Sequence, residues 1–171
     1  DKPLACLAFL EEAFAGKKNM FSYQHHYVVE EEGKILGVMA TFTRASMAKA
    51  QFSTAMNMLK LMGVLNGVRS MVRGLIFEKK LVNPPLKDCC YIAHVGVNAQ
   101  CRSKGIGQQM IHFAQKQAQV MGYEKMSLDV SVINTRAQRL YERLSFKVIE
   151  ERSRYRPELD CHRYMEAPIN I

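Results

Sequence analysis

Two apolar rhythms, one with the period of a strand and one with the period of a helix, take turns along this chain. Tyr91-Ile92-Ala93-His94-Val95-Gly96-Val97 is a nearly unbroken apolar run of strand length. Lys125-Met126-Ser127-Leu128-Asp129-Val130-Ser131 alternates instead, with Met126, Leu128 and Val130 on one face, as a half-covered strand does. Between them, Gln108 to Val120 is amphipathic and predicts a helix. Downstream, Ala137, Leu140, Tyr141 and Leu144 fall at i, i+3, i+4 and i+7, one face of a helix, and Asn134 stands where its N-cap is expected. Phe146 to Arg152 and Cys161 to Glu166 read as two further strands joined by the polar Arg154 to Asp160 loop. Upstream, Leu4 to Ala15 predicts a helix ended by Gly16, and Tyr23 to Glu30 and Lys34 to Phe42 predict antiparallel strands that turn at Glu32-Gly33. The sum is an α/β domain built on a mixed sheet of six or seven strands. Its strand–helix–strand unit around Gly105 should cross over right-handed.

The stretch from about 44 to 81 is apolar, basic and rich in methionine. Phe52, Ala55, Met56, Leu59 and Met62 have helical spacing, and Val68, Met71, Val72, Leu75 and Ile76 resume it after Asn66-Gly67. This predicts two helices broken at that dipeptide, closed by Pro84-Pro85. Lys60, Arg69 and Arg73 interrupt the apolar surface, so no transmembrane segment is expected. Three roles compete. The helices pack on the sheet and wall a pocket with adaptable methionines, they form the face of a homodimer, or they lie on an anionic membrane.

The richest chemistry lies in Arg102-Ser103-Lys104-Gly105-Ile106-Gly107, between the first strand of that unit and its helix. Gly105 and Gly107 allow positive φ or close approach of the backbone to a ligand. The amides opening the next helix point outward at the positive end of its dipole, and Arg102 and Lys104 add charge. Such a turn suits a pyrophosphate, although a tight loop without a ligand has the same composition. A dinucleotide fingerprint and a P-loop both require glycine patterns that this chain lacks.

A strand ending in Arg-x-x-Gly-x-Gly, a helix, a strand, and then Asn134-x-x-Ala137-x-x-Leu140-Tyr141-x-x-Leu144-x-Phe146 resembles the GNAT superfamily of acetyl-CoA-dependent N-acetyltransferases. The helix at Ala13-Phe14 and the hairpin through Val28-Val29 and Ile35-Leu36-Gly37 resemble that family's first helix and early strands. The resemblance implies a mostly antiparallel sheet whose central parallel pair splays apart to admit the cofactor, helped by a bulge. It implies direct transfer of an acetyl group from acetyl-CoA to an amine in a ternary complex, without an acyl-enzyme. It further implies that Val95, Gly96 and Val97 hold the pantetheine and carbonyl through backbone amides, and that residues 102–107 hold the pyrophosphate. Asn134 would contact the cofactor's amide groups or simply cap its helix. Tyr141 would protonate the departing thiolate or simply pack in the stripe of Ala137 and Leu144. His94, with Tyr91 and Ala93 on the alternate face of its strand, is the candidate base. A core histidine, with water as the base, is the competing account. Two positions depart from the family pattern: Ser145 stands where glycine is common, and Asn98 where proline is common.

At 171 residues and 48% hydrophobic content the chain suits one globular domain. A net charge of +8 fits a polyanionic partner, which coenzyme A satisfies in part. No aromatic-basic motif supports nucleic acid as the partner. Five cysteines, with Cys89 and Cys90 adjacent, show no metal-ligand spacing and fit reduced thiols in the cytoplasm, and Cys101 lies beside the turn as a reactive or an inert thiol. The acceptor, a small molecule or a peptide amine, is not legible, because fold does not fix substrate. The other functional class is a non-catalytic acyl-CoA-binding regulatory module, which intact Gly105, Gly107, Asn134 and Tyr141 disfavour.

Overall fold

The structure, a computed structural model, describes residues 2–81, 85–152 and 161–169. The expected loop from Arg154 to Asp160 and Pro84 lie outside the described residues. Helix α1 spans Lys2–Ala15 and closes with the Gly16 amide donating to the Glu12 carbonyl. The strand expected from Tyr23 starts later. Ser22 accepts from the Gln24 amide and caps a 3₁₀ turn over Tyr23–His25, so that β1 spans His26–Glu31. After Glu32 and Gly33, both at positive φ, β2 returns as Lys34–Phe42. Then come β3 (Cys89–Val97), α3 (Ile106–Val120), β4 (Lys125–Ser131), α4 (Thr135–Arg143), β5 (Lys147–Arg152) and β6 (His162–Pro168).

The six strands form one sheet in the order β1-β2-β3-β4-β6-β5. Every pairing is antiparallel except β3 with β4. That parallel ladder runs from Cys89 opposite Lys125 to Ile92 opposite Leu128 and stops, while β4 continues to pair with β6 as far as Ser131. Past Ile92 the central pair is therefore splayed. A bulge sits at the same point, because Ala93 faces Ala40 and Gly96 faces Val38, which leaves two residues on β3, His94 and Val95, against Met39 alone on β2. His94 holds the bulge at φ 54, an uncommon region for a residue with a Cβ.

The bulge changes which way the strand's side chains face. Strict alternation places His94 opposite Tyr91 and Ala93. Instead its ring lies 6.3 Å from that of Phe42, which shares a buried cluster with Tyr91, Ala40, Met47 and Ala50. Val95 and Val97 go to the other face, where Ile92, Leu128 and Met165 of the sheet pack on Ile106, Met110, Ile111 and Ala114 of α3. Gly37 lets β2 approach α3 closely, since a Cβ there would stand 2.7 Å from the Met110 sulfur.

In place of two helices broken at Asn66-Gly67, α2 is helical over the whole of Arg44–Leu81. Thr43 and Ser46 cap it reciprocally: each hydroxyl oxygen accepts from the other residue's amide. It does not run straight. A Cβ on Gly67 would lie 2.8 Å from the Leu59 Cα, whereas residues eight apart in a straight helix are about 12 Å apart. The chain thus folds back before Gly67, whose bare Cα permits the contact. Met47 and Ala50 pack under the sheet, while Phe52, Leu65, Val68 and Val72 remain exposed.

Candidate active site

The splay, the α3 N-terminus and α4 enclose a cleft of about 920 Å³. Val95, Gly96, Val97, Arg102, Ser103, Gly105, Ile106, Gly107, Asn134 and Tyr141 all line it, as does Cys101. Lys104 is exposed and outside that lining. The first intrahelical bond of α3 runs from the Gln109 amide to the Gly105 carbonyl. The amides of Ile106, Gly107 and Gln108 are thus left without helical partners, at the positive end of the dipole.

The two glycines serve differently. Gly105 takes φ 81 as the α3 N-cap, with open space where a Cβ would be. Gly107 lies inside α3, and a Cβ there would stand 3.0 Å from Leu140, so its smallness seats α3 against α4. Ser145, where the family resemblance leads to the expectation of glycine, takes φ 67 just past α4; a glycine would hold that conformation without strain. Asn98 has a φ of −48 that suits proline, but its amide donates to the Leu36 carbonyl at 2.8 Å and its side chain caps the next turn.

Pattern reading missed the cleft's strongest electrostatic feature. Arg136, Arg139 and Arg143 line it beside Arg102, and no acidic residue does. Their spacing of three and four puts them on one side of α4, a signal that was present in the sequence. Arg136 also donates to the Ser103 hydroxyl at 2.6 Å. Asn134 caps α4 by accepting from the Ala137 amide at 3.2 Å, and it borders the cleft as well.

Tyr141 is only 6% exposed. Burial pushes its phenol up to about 12. Its hydroxyl has no hydrogen-bond partner among the described residues, and the side chain borders the cleft. A buried phenol packed only for its ring would normally find a partner.

On the opposite face of β3, His94 lines a second, smaller pocket of about 370 Å³ with Leu10, Glu11, Phe14, Phe21 and His26. Its ring is partly open to solvent there, yet burial of the rest, and then His26 beside it, lowers its pKa to about 4. His26 Nδ1 lies 2.8 Å from the Ser22 carbonyl, and His26 Nε2 lies 3.0 Å from His94 Nδ1. The two rings are nearly coplanar, at 13°. A carbonyl only accepts, so His26 Nδ1 carries the proton that it donates. In neutral rings His26 Nε2 is then an acceptor, and His94 Nδ1 must donate to it. The lone pair of His94 is left on Nε2. Pattern reading missed His26 as well, whose only mark in the sequence is adjacency to His25.

A third group lies just past the last β3–β4 pair. Asp129 accepts from the Tyr91 hydroxyl at 3.0 Å and from Arg152 at 3.0 Å. Burial raises its pKa, and Arg152 opposes that rise. Both of its oxygens are engaged, and it lines neither of the two cavities.

The likeness to known proteins agrees with this geometry. One solved structure described as an acetyltransferase superposes with a TM-score of 0.69 at 20% identity, covering 95% of this chain and 79% of that one. An N-acetyltransferase from Staphylococcus aureus superposes at 0.68 with 18% identity, covering 94% and 79%. A GCN5-related N-acetyltransferase 6, chloroplastic, of Arabidopsis thaliana is 37% identical over 60 residues, which are 35% of this chain and 21% of that protein. The chain thus matches about a fifth of that relative's length. No described helix is long and apolar enough to cross a membrane. Residues 7–146 match the model of the Acetyltransferase (GNAT) family, most of the chain and all of the cleft described above, and the protein belongs to that family.

Proposed function

We propose that the protein transfers an acetyl group from acetyl-CoA directly to a primary amine while both are bound. One observation carries this reading: a single cleft gathers an open helix N-terminus, four arginines, the splayed strand and a partnerless tyrosine hydroxyl. That lining fits a long polyanion with a thioester at one end, which supplies the activated acyl group when bound. Amides 106–108 and Arg102 would hold the pyrophosphate, with Arg136, Arg139 and Arg143 beside it for further phosphate. The exposed edge of β3 at Val95–Val97 would take the pantetheine and steady the carbonyl oxygen. Tyr141, protonated at working pH, gives its proton to the sulfur as the C–S bond breaks. His94, with its lone pair on Nε2, takes a proton from the nitrogen as the N–C bond forms. Tyr141 is restored by a proton from solvent, and His94 loses its own. The four free cysteines among the described residues suit a reducing, cytoplasmic setting.

The test is thiol release from acetyl-CoA across a panel of amines. Amine-dependent release, with the acetylated amine identified by mass, is the expected result. Calorimetric binding of acetyl-CoA with no turnover on any amine would favour the regulatory module instead.

A further inference from the structure

The cofactor cleft and the second pocket meet at one peptide unit. Val95 lines the first and His94 the second, on opposite faces of β3, and their Cα atoms are about 3.8 Å apart. A molecule seated in the second pocket with its nitrogen at His94 therefore reaches the splay from the side opposite the cofactor cleft.

The pocket's walls say what that molecule is. Leu10, Phe14 and Phe21 supply apolar surface, and Glu11 is the only charged side chain in the lining. Phe21 lies parallel to the His94 ring at 5.5 Å, so aromatic surface continues up to the candidate base. At about 370 Å³ the pocket is at the small end of ligand sites, which run from roughly 300 to 1,000 Å³. Glu11 offers a partner to one ammonium, but a further one placed along the remaining apolar walls would lose its water without gaining a partner. A single ammonium meets no positive side chain in this lining, despite the chain's net charge of +8.

We infer that the acceptor is a small primary monoamine on one apolar arm, arylalkyl or alkyl, which enters between α1 and the His26–His94 pair. This rests on the transfer reading above and narrows it. Polyamines and lysine side chains of peptides are the alternatives it excludes.

The experiment separates binding from turnover. Protein saturated with coenzyme A is titrated with 2-phenylethylamine, spermidine and a lysine-containing peptide, and the imidazole NMR signals of His26 and His94 are followed. 2-Phenylethylamine should shift both signals. Phe14→Ser, at a half-exposed position where the fold is expected to survive, should weaken that binding at least tenfold and leave acetyl-CoA affinity unchanged. In turnover, kcat/KM for 2-phenylethylamine should exceed that for spermidine at least tenfold. Stronger shifts or faster turnover with spermidine or the peptide would overturn the inference. So would undisturbed histidine signals with 2-phenylethylamine, or a folded Phe14→Ser variant that binds it normally. Binding as described with no acetylation of any amine would overturn the transfer reading and leave the pocket's preference standing.

Discussion

A phenol and an imidazole, each moved from its ordinary pKa by burial, flank the splay and carry the proposed chemistry. Tyr141 sits at about 12, so it remains a proton donor throughout the physiological range. Tyr141→Phe keeps the ring and its packing against Phe146 but removes the proton. General acids contribute about 10²- to 10⁴-fold; kcat should fall within that range, while acetyl-CoA affinity and Tm barely change. A Phe variant with normal kcat, where chemistry is shown to limit the rate, would remove Tyr141 from the mechanism. His94 moves the other way, to about 4. A depressed pKa keeps the neutral base available as pH falls through 6 and 5, and it is lost only near 4. The acid limb of kcat at saturating amine should therefore lie well below 6.5, the ordinary histidine value. The linked stability has the same sign: it is present above about 6.5 and lost as pH falls toward the folded value. His26→Phe removes the acceptor that holds His94 in one tautomer. That change should lower kcat several-fold, leave acetyl-CoA affinity intact and move the acid limb. A fall in Tm with no change in the pH profile would reduce His26 to a packing residue.

At the scale of the element, the start of α3 concentrates amides without helical partners. Gly105 is at φ 81 with no neighbour where a Cβ would go, so a side chain there is a conformational problem rather than a packing one. Aspartate tolerates that region better than most residues. Gly105→Asp should fold, yet its carboxylate would face the phosphate path. Calorimetry should show acetyl-CoA affinity reduced at least 100-fold in a folded variant; unchanged affinity would remove this turn from the cofactor site. Gly107→Ala makes the complementary case, since its Cβ would meet Leu140 at 3.0 Å. It should cost stability by pushing α4 from α3, with a lower Tm even in the absence of ligand. The spacing of apolar residues in α2 announced helix on both sides of residue 66, and both arms are helical. The position of the fold-back was not announced, because it depends on which residues let two helical arms touch. Among the described residues, no α2 side chain lines either of the two cavities.

Over the whole molecule, charge is unevenly used. The cleft holds four arginines and no acid, while the pocket on the other face holds one glutamate and neither lysine nor arginine among the described residues. Attraction of a polyanion to exposed arginines is screened by salt, with a Debye length of about 10 Å at 0.1 M and about 3 Å at 1 M. The Kd for coenzyme A should therefore rise steeply with salt. Replacing Arg136, Arg139 and Arg143 together by Gln should both weaken binding and flatten that dependence. A triple variant with the wild-type salt slope would show that these arginines do not meet phosphate.

The sequence by itself determined the elements and their order. Alternation in 125–131 and the i, i+3, i+4, i+7 stripe of α4 are local consequences of where side chains point in strands and helices. The glycine turn before α3 and the cap at Asn134 are equally local, so both were legible, and with them the family and most residues of the larger cleft, though not its three α4 arginines. Tertiary structure decided the face on which His94 works. One extra residue on β3 opposite Met39 reverses the alternation from that point, and a bulge depends on the pairing partner, which the strand's own sequence does not specify. The same holds for His26 and Glu11, distant in sequence from His94, which reach one pocket only when α1 and β1 are brought beside β3. Contacts between residues 68 positions apart have no periodic signature, so the tautomer of His94 and the character of the pocket beside it emerge only in the folded chain.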